Sequence, residues 1–171
     1  MKKLKAIFST FIFCYIFWLL YTLSFDKEEL IAGVLVSLVV AIFSAPFFIE
    51  KDPFLLFNPK RILTLLIFIP IYLVELFKSN LDVALRALSK EVRVNPGIVK
   101  VETDLKSDYG LAMLSNCITL TPGTITMEIA EDKNEKCYLY IHWIDVKTRD
   151  IKQASKIIKG SFEPYVGRIF N

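Results

Sequence analysis

Two apolar runs decide the fold: AIFSTFIFCYIFWLLYTLSF, Ala6 to Phe25, and LIAGVLVSLVVAIFSAPFFI, Leu30 to Ile49. Neither contains a charged residue, and only Asp26-Lys27-Glu28-Glu29 separates them. A bilayer core about 30 Å thick needs about 20 helical residues at about 1.5 Å each. Both runs meet that length. The four-residue connection requires them to fold as an antiparallel helical hairpin. Lys2, Lys3 and Lys5 give the chain a basic start, as in a signal peptide. The run that follows is too long for a signal core, and no small-residue cleavage pattern follows it. The reading is therefore an integral membrane protein.

A third apolar segment begins after Lys60-Arg61 and runs to Leu76, interrupted by Thr64, Pro70 and Glu75. It reaches spanning length if it continues into Phe77-Lys78. Pro70 removes an amide donor and is expected to kink it. Asn58 is placed to cap this helix, with Pro59 at its first position. The stretch from Asp52-Pro53 to Asn58-Pro59 reads as interfacial, with Phe54, Leu55, Leu56 and Phe57 dipping into the headgroups. Pro46 lies near the end of the second segment. Beyond Glu75 the pattern turns amphipathic. Leu76, Leu81, Leu85 and Leu88 share one face, and Asp82 and Arg86 pair opposite at i,i+4. This extension is expected to leave the membrane and end near Ser89.

Charge does not orient this plan. With three crossings, one orientation puts six positive residues inside (Lys2, Lys3, Lys5, Lys51, Lys60, Arg61). The other puts five there (Lys27, Lys78, Arg86, Lys90, Arg93). The positive-inside rule does not choose between them.

Asn95-Pro96-Gly97 punctuates a boundary. Residues 1–94 read as a transmembrane region with an amphipathic extension, and 95–171 as a soluble α+β domain. The domain is near the lower size limit for an independent core. Ile98 to Thr103 reads as a strand. Ser107 or Asp108 can cap a helix reaching about Asn116, with Leu111, Met113 and Leu114 inward. Thr124 to Ala130 alternates, with Ile125, Met127 and Ile129 on one face and Thr124, Thr126 and Glu128 on the other. Tyr138 to Ile144 alternates too, with Leu139, Ile141 and Trp143 together. The polar Glu131–Lys136 stretch between them predicts a β-hairpin. A final helix starts near Thr148-Arg149-Asp150, with Ile151, Ala154, Ile158, Phe162, Tyr165 and Ile169 as its stripe. Pro164 is expected to kink or divide it. The order β-α-β-β-α predicts a three-stranded sheet with helices on one face.

The whole chain has 171 residues, 54% of them hydrophobic, and a formal net charge of +3. Its lysines are dispersed, and no basic block points to nucleic acid. Cys14, Cys117 and Cys137 lack metal-site spacing. Cys14 reads as a small buried hydrophobe, and a reduced cytosolic setting suits the domain. Glu75 is the only carboxylate inside an apolar run. It is a candidate intramembrane ionisable group, against the plainer reading of a helix-end residue paired with Lys78. The segment Ser115-Asn116-Cys117-Ile118-Thr119-Leu120-Thr121-Pro122-Gly123-Thr124 is the most unusual in the domain. Pro122-Gly123 is a type II turn pair, and the flanking hydroxyls can bond the backbone around it. A Cys117/His142 nucleophilic site is the sharper alternative to a structural corner. His142 itself, between Ile141 and Trp143, reads as a structural histidine. No phosphate loop, paired-acid site or metal-ligand pattern is present, so no catalytic residue, metal or cofactor is assigned.

With these residues in view, the chain resembles the E subunits of Mrp-type multisubunit sodium/proton antiporters over nearly its full length. The resemblance rests on the basic start, the closely spaced apolar segments and Asn95-Pro96-Gly97. It rests most on Leu114, Asn116, Ile118 to Thr121, Pro122, Gly123 and Thr124, followed by His142 and Asp145 in a His-x-x-Asp pattern. Cys117 and Met113 depart slightly from the family's aliphatic or small residues. The resemblance implies an accessory, non-catalytic subunit of a Na+/H+ antiporter module that supports assembly and ion transport in the cell membrane. Its implied partners are other subunits of the complex and the lipid bilayer, with no substrate of its own. It implies Asn116, Thr119, Thr121, Pro122, Gly123, Thr124, His142 and Asp145 as a structural or interaction motif. It places the C-terminal domain in the cytoplasm, with an external N-terminus if all three segments cross. The same module recurs in archaeal membrane-bound hydrogenase and sulfur-reducing complexes, so the parent complex stays open. A membrane-tethered enzyme and a stand-alone binding module are the competing readings.

Overall fold

A computed structural model describes residues 2–48, 54–91, 94–133 and 135–170. The expected end of the second apolar run at Ile49, Lys51, the Asp52-Pro53 start of the interfacial stretch, and Arg93 lie outside the described residues. Among the described residues, helices α1 (Lys2–Thr22), α2 (Lys27–Phe48) and α3 (Pro59–Leu88) are long and apolar enough to cross a membrane. The small domain follows as β1 (Gly97–Thr103), α4 (Asp108–Leu120), β2 (Thr124–Glu131), β3 (Cys137–Trp143), α5 (Ile151–Lys159) and α6 (Glu163–Phe170). The final helix is thus divided, at Gly160 to Phe162, and Pro164 sits in the first turn of α6, where its missing amide costs nothing. By packing, the chain divides between Asn58 and Pro59, so α3 is grouped with the domain and α1 with α2.

In the first unit, α1 and α2 form the expected hairpin. Without a hydrophobic force between helices in lipid, small residues that allow close approach carry such contacts. Among the described side chains of α2 the buried positions are Gly33, Ser37, Ala41 and Ala45, four residues apart. Ala6 and Ser9 are their buried counterparts on α1. Near the turn, Trp18 Nε1 donates to the Glu29 carbonyl at 3.1 Å. The Trp18 ring lies over Gly33, where an added Cβ would come within 2.5 Å of Cδ1.

In the second unit the strands are antiparallel in the order β1-β3-β2. Val99, Val101, Leu139, Ile141 and Trp143 point to the covered face and are buried. Helix α5 lies against β1 and α4 against β2. Ser107 caps α4 by accepting from the Gly110 amide at 3.1 Å, and Asp150 caps α5 by accepting from Gln153 at 2.9 Å. The Glu163 carboxylate ties α6 to the end of β1 through Thr103 Oγ1 and the Asp104 amide, and it also pairs with Lys159.

Strand β2 departs from simple alternation. Its register with β3 shifts between Thr126 and Glu128, with Met127 as the extra residue. Ile129 is thereby moved to the opposite face from Ile125, and Glu128 joins Ile125 on the open face. Thr124 and Thr126, opposite Trp143 and Ile141, take the helix-covered face. Their hydroxyls find partners on α4, which is why polar residues are tolerated there.

Helix α3 begins at Pro59 as expected and continues unbroken through Pro70 to Leu88. Phe68, only 2% exposed, is the point where it joins the domain core. Its ring meets Phe162 edge-on at 6.3 Å, with Tyr165 at 5.9 Å and Tyr72 at 6.0 Å.

The hairpin seam gives the first prediction. Gly33→Val should lower the thermal midpoint of the detergent-solubilised protein, at a cost of about 1–3 kcal/mol for overpacking. Adding Trp18→Ala should relieve the clash, so the double variant loses less than the two single losses together. Additive losses would show that Trp18 and Gly33 do not meet.

Candidate functional site: the threonine corner

Helix α4 runs to Leu120, four residues beyond the expected end at Asn116. The physical reason is burial: Cys117 and Ile118 complete its apolar face against the core. Asn116 and Thr119 are therefore helical, and the turn itself is Thr121-Pro122-Gly123.

The end of a helix leaves carbonyls without partners. Here side-chain hydroxyls take them up. Thr121 Oγ1 and Thr124 Oγ1 both donate to the Ile118 carbonyl, each at 2.7 Å. Thr124 Oγ1 also lies 3.1 Å from the Thr121 carbonyl, and the two hydroxyls are 3.3 Å apart. Thr119 Oγ1 accepts from the Thr126 amide at 3.1 Å, and Thr126 Oγ1 donates to the Ser115 carbonyl at 3.3 Å. The threonines thus stitch the last turn of α4 to the first residues of β2.

Gly123 has φ +97, a left-handed conformation that side chains rarely adopt. It also has little room, because a Cβ there would stand 3.0 Å from Ile144 Cγ2 and 3.7 Å from Val83 Cγ2. Its carbonyl accepts from the Ile144 amide at 2.8 Å.

The corner is extended by Asn95 and Asp145. Asn95 donates its amide to the Ile144 carbonyl at 3.1 Å and accepts from the Val146 amide at 2.8 Å. Its side chain donates to the Val146 carbonyl at 3.0 Å. Asp145 pairs with Arg86 of α3 at 2.9 Å, and Arg86 also holds Asp82 at 2.8 Å. Pairing of partly exposed groups contributes little stability, so their role here is geometric: they fix the far end of α3 on the corner.

The remaining candidates stand apart. Asn116 lines an apolar groove of about 380 Å³ between α3 and α4, with Leu65, Phe68, Tyr72, Met113 and Leu120. Glu75 forms an ion pair with Lys78 at 2.9 Å. His142 pairs with Ile98 and Ile125 and points to the open face of the sheet. Cys117 packs into the core on the covered face. Strand alternation therefore puts the sheet between Cys117 and His142, and the nucleophilic pair is not assembled. Burial pushes the Cys117 thiol up to about 11 and also raises Cys137. A thiol held protonated in this way is a poor nucleophile. All three cysteines are free. Among the described residues, no group of three His, Cys, Asp or Glu side chains could hold a metal ion.

Comparison with known proteins fits a full-length relationship. The profile of the family described as Na+/H+ ion antiporter subunit matches residues 11–169. The chain belongs to this antiporter subunit family. The E1 subunits of the Na(+)/H(+) antiporter from Staphylococcus aureus strains Newman and N315 are each 33% identical over 154 residues, covering 90% of this chain and 91% of theirs. A chain of the membrane-bound sulfane sulfur reductase, an archaeal respiratory membrane complex, is 40% identical. It superposes with a TM-score of 0.83 over 97% of this chain and 99% of that one. The matched residues include most of the hairpin, all of α3 and the corner.

The sequence reading overlooked Arg86, Asn95 and Thr126 as parts of the corner. For Asn95 a signal was present, since an Asn before Pro-Gly is a residue that bonds backbone in turns. The small residues Gly33, Ser37, Ala41 and Ala45 were also overlooked, though their i,i+4 spacing was visible.

Two outcomes test the corner. Gly123→Val should cost about 1–3 kcal/mol from backbone strain alone, read as a lower thermal midpoint and less assembled complex. Unchanged assembly would remove the corner's structural role. At pH 8, only about one part in a thousand of Cys117 should be thiolate, given its pKa of about 11. Maleimide labelling followed by mass spectrometry should find Cys117 modified far more slowly than a model thiol.

Proposed function

We propose that this chain is an accessory, non-catalytic subunit of a multisubunit monovalent cation/proton antiporter module. The observation that carries the reading is the family match across residues 11–169, with 33% identity to antiporter subunits over nine-tenths of the chain. Residues 1–94 form the membrane region with its amphipathic extension, and 95–171 the domain that braces it. The domain lies on the cytoplasmic side.

The chemistry of the corner supports a structural role. Its hydroxyls are engaged with backbone carbonyls and amides, its thiol is buried, and its histidine faces elsewhere. Thr119, Thr121, Pro122, Gly123, Thr124 and Asp145 hold the helix-to-strand turn and the end of α3, while Asn116 lines the groove between α3 and α4 and His142 belongs to the open sheet face. Nor do the apolar runs contain a chain of ionisable groups: Glu75 is the only carboxylate in them, and Lys78, Asp82 and Arg86 lie on the amphipathic extension of α3. Ion movement therefore belongs to partner subunits of the complex, and this chain contributes assembly.

A second reading places the same module in a redox-driven respiratory complex. It is supported by the 40% identity to a chain of the sulfane sulfur reductase. Neighbouring reading frames separate the two, since redox subunits would accompany only the second.

Affinity purification in mild detergent tests both. A tagged chain should bring down large polytopic membrane subunits, and its deletion should abolish Na+-dependent proton release in everted vesicles. A chain purified alone and monodisperse would defeat the accessory-subunit reading. Retained complex with unchanged antiport in the deletion strain would defeat it as well.

A further inference from the structure

Helix α3 is long and apolar enough to cross the membrane, yet the domain lies along one side of it for nearly its whole length. At the start, Arg61 Nη1 donates to the Ile169 carbonyl at 2.7 Å. In the middle, Phe68 is buried against Phe162 and Tyr165. At the end, Arg86 pairs with Asp145 at 2.9 Å. Arg61 and Arg86 are separated by about 37 Å of helix at about 1.5 Å per residue. The hydrocarbon core is only about 30 Å thick. If α3 crossed, the domain beside it would be drawn into hydrocarbon with its surface charges, among them the exposed Lys136–Glu102 pair. Charged groups in that environment are prohibitively costly.

The two sides of α3 confirm this geometry. At about 100° per residue, Arg61, Leu65, Phe68, Tyr72, Val83 and Arg86 fall on one side, and all are buried or half-buried. The opposite side carries Leu63, Leu66, Leu73, Phe77, Leu81 and Leu88, all exposed, with Phe77 at 70% and Leu88 at 84%. No charged side chain lies on that stripe. It runs the length of the helix.

We propose that α3 is an interfacial helix: it lies in the plane of the membrane, outer stripe in the lipid, with the domain mounted on its back. Lipid is the occupant because the stripe is continuously apolar over its full length and because α2, a membrane span, ends at Phe48, a short link before Pro59. Lys60 and Lys78, about 80° from the domain-facing line by the same angular step, lie on one flank at headgroup level. Glu75, ion-paired with Lys78, then sits at the interface and not within the bilayer.

This removes one crossing and reverses the expected position of the N-terminus. With α1 and α2 as the only spans, both ends of the chain are on one side. The charge count is then decisive. Lys2, Lys3 and Lys5 precede the hairpin and Lys51, Lys60 and Arg61 follow it, against Lys27 alone in the loop beside Asp26, Glu28 and Glu29. The positive-inside rule puts both termini in the cytoplasm. The inference rests on the hairpin crossing the membrane, not on the antiporter role.

The test uses the full-length chain in its native membrane, with an epitope tag at each terminus and added protease. Both tags should survive in intact spheroplasts and both should be cleaved in everted vesicles. Tags on opposite faces would mean three crossings and overturn the proposal. Both tags cleaved in spheroplasts would overturn the orientation. A photoreactive amino acid at Phe77 should then crosslink to phospholipid. Crosslinking predominantly to another subunit would overturn lipid as the occupant of the stripe. None of these outcomes depends on whether antiport activity is present.

Discussion

The contact of Phe68 with Phe162 and Tyr165 is the interaction on which the second unit depends. An edge-on aromatic pair adds about 0.5–1.5 kcal/mol to the burial of its own area. Its larger effect is to commit one face of a very apolar helix to a soluble domain. Once Phe68 is seated, Arg61 and Arg86 can reach the Ile169 carbonyl and Asp145 at either end. The outer face of α3 is then the one left for lipid. In the interfacial arrangement we propose, the number of crossings and the position of Glu75 follow from which face the aromatic cluster claims.

The threonine corner serves the same end by a different means. It closes the last turn of α4 with hydroxyls, places a left-handed glycine where Ile144 and Val83 approach, and holds the chain that leads from α3 into β1 through Asn95. The corner therefore sits where the helix, the helix-to-strand turn and the end of the sheet meet. That position accounts for a conspicuous polar stretch without catalysis. Hydroxyls that satisfy buried carbonyls are costly to replace, because each leaves an unpaired acceptor.

The hairpin is built on another principle. Its seam holds together through the absence of side chains, with Gly33 admitting the Trp18 ring and Ser37, Ala41 and Ala45 continuing the close approach. In lipid, apolar bulk gains nothing by moving from tails to a neighbouring helix, so close backbone approach is the contact that remains.

The sequence by itself determined the hairpin, the approximate lengths of the three apolar helices, the β-α-β-β-α order and the turn at Pro122-Gly123. These are local properties: apolar run length, a four-residue loop, alternation and turn chemistry depend only on neighbours along the chain. It misplaced the end of α4 because Asn116 and Thr119 look like turn residues when the core contacts of Cys117 and Ile118 are out of view. It missed the bulge at Met127, which reassigns Ile129 without altering composition. Only the tertiary structure decided where Arg86 and Asn95 act, and why Cys117 and His142 never meet. Above all, hydropathy could not distinguish a helix that crosses a membrane from one that lies along it. Both need a long apolar sequence, and the difference lies in whether a face is claimed by distant residues such as Phe162 and Tyr165.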